Sequence, residues 1–416
     1  MITKSLIRIV TLLALIGGLS SAVVAEENSA LLNILVKKGI LSHDEAKSIR
    51  SELDSDMKAA VLEHTTSGSP TRGVVVYGRS HVQHALIGTD AAGVEQTNHM
   101  FLRRLRLGVQ GKVGENWDAD LFYDFAAGTF DKAYVRYKDS YGDTPLEIYA
   151  GLRKVNNVNE EWRSSGSLVA LERAGTTRYF VESNNGRRLG AGSYRVGVFV
   201  DAHTNNRKMK SQGTYWGFAV TNPERAVKSA DAASAGSAVN NKQAFWGDVG
   251  YSGTFRDNKF RVGAGVGFLP EQGGRRISGS DDLTVYNAYA VADFGKLDFM
   301  AEYLHSTIEN GAGAGQDADP WGILLESTYF TSDALQLVGR ISYVNSDDRG
   351  IKVSDGVRSA PSAFTGDNLT ELYLGMNYYI LGNDLKIQAG YVRGWVEKNG
   401  VEEAADGLRS QIAINF

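Results

Sequence analysis

The sequence of 416 residues contains no cysteine, which excludes a disulfide framework, a thiolate metal site and a cysteine nucleophile. Its mean hydropathy of −0.24 is too polar for a helical membrane protein. It has only seven histidines and contains no P-loop, HExxH or Gly-x-Ser-x-Gly motif, so the sequence predicts no enzyme, no cofactor and no metal site.

Glycine and aromatic residues, in contrast, are abundant, with 47 Gly, 19 Tyr and 16 Phe. A closed β-structure uses glycine in its many short turns and aromatic side chains on its strands. A soluble chain of this length would normally divide into two or three domains with helix-rich stretches. The composition therefore favours a closed β-structure, provided that a strand pattern repeats along the chain.

Residues 1–25 have the features of a cleaved signal peptide. Lys4 and Arg8 precede the apolar run 9–19, and small residues up to Ala25 supply a cleavage site. An N-terminal membrane anchor is the alternative, but no basic stop-transfer cluster follows the apolar run. Loss of the two basic residues takes the net charge from −4 to about −6, which gives no indication of a nucleic-acid partner.

Residues 26–64 contain the only convincing helical pattern, "LLNILVKKGILSHDEAKSIRSEL" at 31–53. An apolar stripe ends at Gly39, and Ser42 with Glu45 forms a capping box that starts a second stripe. The pattern predicts a short periplasmic helical pair, and a self-associating coiled coil is the alternative. Residues 65–72 (TTSGSPTR) form a linker, after which the composition changes.

From Val74 to Phe416 the chain repeats segments of about nine to thirteen residues in which apolar and polar side chains alternate. In 117–126, for example, Trp117 and Leu121 lie on one face, whereas Asp120 lies on the other. The pattern predicts about sixteen strands, at 73–86, 101–113, 117–126, 130–138, 145–153, 193–203, 213–222, 242–256, 259–268, 282–294, 296–308, 321–331, 334–346, 370–380, 384–397 and 407–416.

These strands are long enough to cross a bilayer when tilted, and their polar face carries Arg and Lys as a wet lumen permits. A backbone that crosses lipid as strands must close, because an open edge leaves amides unsatisfied. Short and long breaks alternate, so the short turns are predicted on the periplasmic side and the long loops outside. We therefore expect an all-β transmembrane fold, a sixteen-stranded antiparallel outer-membrane β-barrel at 73–416, ending at Phe416.

Three segments carry a family resemblance: "FLRRLRLGVQGKVGENWDADLFYDFA" (101–126), "DKAYVRY" (131–137) and the segment 150–174 that contains "SSGSLVALERA". The first fits an RR-x-R-x-x-x-x-G strand, and the last fits a Gly-x-x-Lys, Ser-Ser, Glu-Arg series. The chain resembles the phosphate-selective porin O and P family. The resemblance implies a homotrimer of barrels in outer-membrane lipid that passes small anions such as phosphate, with a constriction loop after residue 154.

In that family, basic residues of the lumen and of the third outside loop, here 154–192, select anions. The resemblance and the strand alternation together make ten residues the candidate pore-lining, anion-binding set: Arg104, Arg106, Lys112, Lys132, Arg136, Arg153, Lys154, Arg163, Arg173 and Arg178. Arginine suits this role because its planar fork binds phosphate oxygens bidentately. Arg103 falls on the lipid face by strict alternation, so it is either a rim residue or a sign of a bulge.

Acidic residues share the polar face with these cations, among them Asp118, Asp120 and Asp124, so each arginine could instead form a cross-strand ion pair. The sequence thus predicts an outer-membrane porin for passive diffusion of small anions, phosphate favoured. A general or cation-tolerant porin of the same fold is one alternative, and a β-rich surface or binding protein without a channel is another. A hydrolase built on His305 and Ser306 is disfavoured because neighbours on a strand face apart.

Overall fold

The computed structural model describes residues 73–182, 186–223, 242–271 and 282–416. The predicted signal peptide (1–25), helical segment (26–64) and linker (65–72) lie outside the described residues and stay predictions. Gly73–Phe416 forms one compact unit, which is the unit described below.

The described residues form seventeen strands, namely the sixteen predicted ones and one short additional strand. Three of the predicted strands, 101–113, 296–308 and 407–416, extend four to six residues beyond their predicted bounds at one end. The strands are β1 (Val74–Thr89), β2 (Thr97–Val113), β3 (Trp117–Asp124), β4 (Thr129–Tyr141), β5 (Thr144–Lys154), β6 (Tyr194–Ala202), β7 (Gly213–Thr221), β8 (Ala244–Phe255), β9 (Asn258–Leu269), β10 (Leu283–Asp293), β11 (Leu297–Gly313), β12 (Gln316–Ala318), β13 (Trp321–Phe330), β14 (Leu335–Asn345), β15 (Asn368–Leu381), β16 (Leu385–Lys398) and β17 (Val401–Asn415).

The sheet closes on itself, because β1 pairs antiparallel with both β2 and β17. The short β12 pairs with the end of β11 and lengthens a hairpin, while β11 pairs directly with β13. The other sixteen strands form a closed antiparallel barrel, which confirms the predicted fold class and strand number. Closure leaves no open strand edge among these described strands, as a strand structure in lipid requires.

The two faces of the barrel differ in the way that the alternation predicts. On β3 the outward-facing Trp117 and Leu121 are each 50% exposed, whereas the inward-facing Asp118 and Asp120 are buried. The outer surface is apolar along strand after strand, and the inner surface carries the charges. None of the helices among the described residues is long and apolar enough to cross a membrane.

The connections differ between the two ends of the barrel. At one end six turns are two to four residues long, such as those after β2 and β8, and one connection, 203–212, is longer. The opposite end carries the long loops 155–193 and 346–367. Four short helices lie in the described connections: α1 (Asn159–Trp162), α2 (Gly175–Val181), α3 (Thr204–Arg207) and α4 (Val353–Gly356).

A row of buried amide side chains runs around part of the inner wall, from β1 to β14. Each donates to the next: Gln83 to Gln411 at 2.8 Å, Gln411 to Gln388 at 2.9 Å, Gln388 to Asn377 at 2.8 Å and Asn377 to Gln336 at 3.0 Å. Neighbours in the row lie directly opposite each other in the strand register. We call these five side chains the amide row.

Replacing Gln388 by alanine should lower the stability of the barrel. The side-chain amides of Gln411 and Asn377 and the backbone carbonyl of Leu168 each lose a buried hydrogen-bond partner. Unsatisfied buried groups cost about 1–3 kcal/mol each, so we expect a loss of several kcal/mol in the free energy of unfolding, measured in urea. Gln212, which is exposed, provides the control: Gln212→Ala should change the stability little.

Candidate functional site: a loop across the lumen and a basic pocket

The described part of the loop 155–193 between β5 and β6, residues 155–182 and 186–193, folds into the barrel instead of away from it. Its backbone and side chains reach strands that are distant from β5 in the sheet. The Asn159 amide donates to Glu302 of β11 at 2.6 Å, Ser165 accepts from Arg79 of β1 at 2.6 Å, and Lys386 of β16 donates to the Leu168 carbonyl at 2.9 Å. Contacts on these separated strands place the loop across the lumen, so we call it the constriction loop.

Carboxylates on the wall hold the starts of the two helices in this loop. Glu302 accepts from the amides of Asn159 and Glu160 at the start of α1, and Glu371 accepts from the Gly175 amide at 2.6 Å at the start of α2. These amides are the ones that a helix leaves unpaired at its N-terminus. The wall is also shaped for the loop, because a Cβ at Gly265 would lie 3.0 Å from the Asn157 backbone.

Arg340 of β14 is a further buried connection between the wall and the constriction loop. Its guanidinium lies 2.6 Å from Glu371 on β15 and 3.3 Å from Glu160 in the loop. It also donates to the backbone carbonyl of Glu172 at 2.7 Å. Since Arg340 is only 4% exposed, these contacts are made away from water and fix the loop against this side of the barrel.

Eight of the ten predicted site residues form ion pairs with other described residues inside the barrel. The two exceptions are Arg104, which is buried and donates to His81, and Lys112, which is exposed at the end of β2. The pairs are Arg106 with Asp124 and Asp131, Lys132 with Asp120, Arg136 with Asp118 and Glu147, Arg153 with Asp201, Lys154 and Arg173 with Glu161, Arg163 with Glu326, and Arg178 with Glu182.

These pairs separate the paired residues into two groups. Arg106, Lys132, Arg136 and Arg153 form a ladder along the inner wall of β2 to β5, with carboxylates between them. The other four belong to the constriction loop or directly precede it. The ladder residues are therefore partly neutralised, and an excess of positive charge has to come from elsewhere in the lumen.

Such an excess lies at the loop end of the barrel, in a cavity of about 560 Å³ that we call the basic pocket. Five guanidiniums line this pocket, together with one carboxylate, Asp355. It lies between the first residues of β2, the constriction loop and the loop 346–367. Its arginines are Arg103, Arg178, Arg187, Arg188 and Arg358.

Two further carboxylates, both from the constriction loop, contact the arginines of the basic pocket. Glu182 contacts Arg188 and Arg358, while Glu172 lies 2.5 Å from Arg103 and 3.0 Å from Arg358. Burial acts to raise the pKa of Glu172, but Arg103 and Arg358 outweigh it and hold that pKa well below its usual range. Glu172 is therefore ionised at neutral pH and balances part of the pocket's charge.

Arg103 enters the pocket because of a β-bulge. The register between β1 and β2 shifts between His81 and Val82, which face Arg104 and Leu102, so Arg103 is the extra residue. Its side chain therefore reaches Glu172 in the lumen instead of lipid. Of the two sequence interpretations of Arg103, the bulge is the one that the structure shows.

Sequence reasoning missed several arginines of the site. Arg340 occupies an inward-facing position of β14, so strand alternation alone could have identified it. Arg358 lies in a loop without periodicity, and no sequence signal marks it. What the pocket can do chemically follows from its guanidiniums, which bind oxyanions in a planar, bidentate geometry.

Known structures share this architecture at low sequence identity. An anion-selective porin from Comamonas acidovorans is 12% identical, with a TM-score of 0.58, over 83% of this chain and 100% of that one. The outer membrane channel DcaP of Acinetobacter baumannii is 12% identical, with a TM-score of 0.55, over 84% and 99%. OmpT of Vibrio cholerae in its trimer form is 14% identical, with a TM-score of 0.51, over 83% and 100%.

No curated protein matches the chain. The sequence model of a family described as phosphate-selective porin O and P matches residues 74–416, which is the whole barrel unit except for its first residue. The match covers the strands, the constriction loop and the basic pocket described above. The chain therefore belongs to the phosphate-selective porin O and P family.

Proposed function

We propose that this porin forms a water-filled channel of the outer membrane through which small anions diffuse passively, with phosphate favoured. No chemical step is involved. The basic pocket is the observation that carries the proposal, because it gathers five guanidiniums where the constriction loop meets the lumen wall. Positive charge in a low-dielectric cleft raises the local concentration of anions, and several weak sites in series allow passage.

The pocket also supports the preference for phosphate. Five guanidiniums face three carboxylates, those of Asp355, Glu182 and Glu172, so cations are in excess. Bidentate arginine contacts suit an anion with several oxygens in a tetrahedral arrangement better than they suit a spherical halide. The ladder of paired cations then offers further weak positions along β2 to β5.

Current measurements in planar bilayers under a potassium chloride gradient test this proposal. We expect a reversal potential on the anion side and a fall in chloride conductance when phosphate is added at millimolar concentration. The variant Arg188→Gln, which removes one pocket cation, should weaken the effect of phosphate severalfold. The control Lys398→Gln removes a partly exposed cation outside the pocket, paired with Asp367, and should leave that effect unchanged. A reversal potential on the cation side would contradict the proposal.

A general or cation-tolerant porin is the second candidate, and the ion pairs of the lumen favour it. Eight of the ten predicted anion-binding residues have a carboxylate partner, which reduces the field that the ladder can exert on a passing ion. The same measurement separates the candidates, because a channel of this second kind shows a reversal potential near zero or on the cation side.

We also propose that the protein assembles as a homotrimer embedded in outer-membrane lipid. The apolar outer face, with side chains such as Leu121 and Val249 half exposed, has to be covered by lipid or by a second copy. The similarity in fold to the trimer form of OmpT supports the same oligomeric state. Export by a signal peptide at 1–25 belongs to this proposal.

A further inference from the structure

The carboxylate of Glu172 in the constriction loop accepts four hydrogen bonds from the side chains of three residues. Arg103 donates to both of its oxygens, at 2.5 and 2.9 Å, and Arg358 donates at 3.0 Å. Gln83 of the amide row adds a fourth hydrogen bond at 3.1 Å. A side-chain carboxylate thus sits in a cage of donors that matches what an inorganic oxyanion would require.

Two more guanidiniums lie near this cage and have nitrogen atoms that donate no hydrogen bond in the described structure. Arg104 and Arg409 are both within electrostatic range of Glu172, and both are at most 4% exposed. Among the described residues, Nε of Arg104 and both Nη atoms of Arg409 are buried without a hydrogen-bond partner. Buried donors of this kind are normally satisfied, so the site holds more binding capacity for an anion than Glu172 uses.

We propose that Glu172 is a tethered counter-anion, which occupies the inner anion-binding position of the basic pocket and is replaced there by a permeating phosphate. This inference rests on the proposed function. An anion that arrives from the pocket takes over the donors of Arg103 and Arg358, and the returning carboxylate displaces it again. Glu172 therefore determines how tightly the channel binds phosphate, and it keeps that binding weak enough for release.

The way in which Glu172 is attached to the constriction loop allows its side chain to exchange with phosphate. The backbone carbonyl of Glu172 is fixed by Arg340, and its neighbour Arg173 is fixed by Glu161, so the loop can remain in place while the side chain turns away. Arg358 already divides its donors between Glu172 and Glu182. When phosphate replaces the Glu172 carboxylate, Arg103 and Arg358 exchange one anionic partner for another. Neither guanidinium is then left buried without a counter-charge.

The variant Glu172→Gln tests the inference, because glutamine has the same size and still accepts from Arg103 but carries no charge. In planar bilayers we expect the phosphate concentration that halves the chloride conductance to fall about tenfold, since a competing charge within contact distance is removed. The control Asp298→Asn removes a carboxylate from the inner wall at the short-turn end, where it accepts from Thr328. It should change that concentration less than about twofold.

A second variant, Glu172→Asp, covers the case in which the glutamine variant does not fold. It keeps the charge but withdraws the carboxylate by one methylene, so phosphate should bind with an affinity between those of the unmodified protein and Glu172→Gln. If either folded variant needs the same phosphate concentration as the unmodified protein to halve the chloride conductance, the inference is wrong. That result would not contradict the proposed anion channel. A cation-side reversal potential of the unmodified protein would overturn both.

Discussion

Removal of the constriction loop is expected to raise the single-channel conductance severalfold. The loop crosses the lumen and contacts β1, β11 and β16, so it fills cross-section that would otherwise hold water. A barrel of sixteen strands encloses an aqueous channel when nothing folds into it. The same change removes Arg178, Arg187 and Arg188 from the basic pocket, so anion selectivity should fall as conductance rises.

The loop can be deleted where β5 and β6 are already paired, so that the two strands form a hairpin. Lys154 and Tyr194 are opposite each other in the β5–β6 ladder, and the Val155 amide donates to the Ser193 carbonyl at 3.0 Å. A two-residue Asn-Gly turn placed between Val155 and Ser193 would close the strands in a favoured hairpin geometry. Shortening the exposed hairpin tip at Gly315 provides the control and should leave conductance unchanged. Equal conductance of the deletion variant and the parent would contradict the position of the loop.

Replacing Arg340 by methionine should destabilise the protein strongly. Glu160 and Glu371 are buried and take their nearest cation from Arg340, and Glu326 is a further contact at 4.0 Å. Removing one partner of a buried ion pair costs about 3–5 kcal/mol, because the remaining charge stays away from water. We expect the free energy of unfolding in urea to fall by roughly that amount.

The Arg340 variant should also release the constriction loop, since Arg340 binds both Glu160 and the Glu172 carbonyl. Current traces should then show a raised and fluctuating conductance in place of one steady level. Lys259→Met, which removes a cation from an exposed position at the start of β9, is the matched control. If both variants unfold at the same urea concentration, the buried network contributes nothing to stability.

The barrel could be predicted from the sequence because its signal is local. Alternation within one strand decides which side chains face inwards, and residues such as Asp118 and Asp120 reveal it within a few positions. Break lengths between strands are equally local, so the end with short turns could be recognised. The sixteen strands and their antiparallel order followed from these two patterns and from the requirement for closure.

The candidate site was less predictable because its contacts join residues far apart in the chain. Arg340 and Glu160 are 180 residues apart, and Arg358 and Glu172 are 186 residues apart, so no spacing rule connects them. Alternation also failed at Arg103, where one inserted residue changes the face of the strand. Sequence reasoning therefore found cations of the lumen but not which of them share a cavity.

The amide row affects how the first and last strands of the barrel pair with each other. Gln83 and Gln411 are 328 residues apart, and they meet where the first strand closes on the last. A slip of two residues at that seam would keep every side chain on its proper face, so hydrophobicity alone does not forbid it. The slip would bring Gln83 opposite Arg409 or Ala413 and break the row. The row thus selects one register at the seam that closes the barrel.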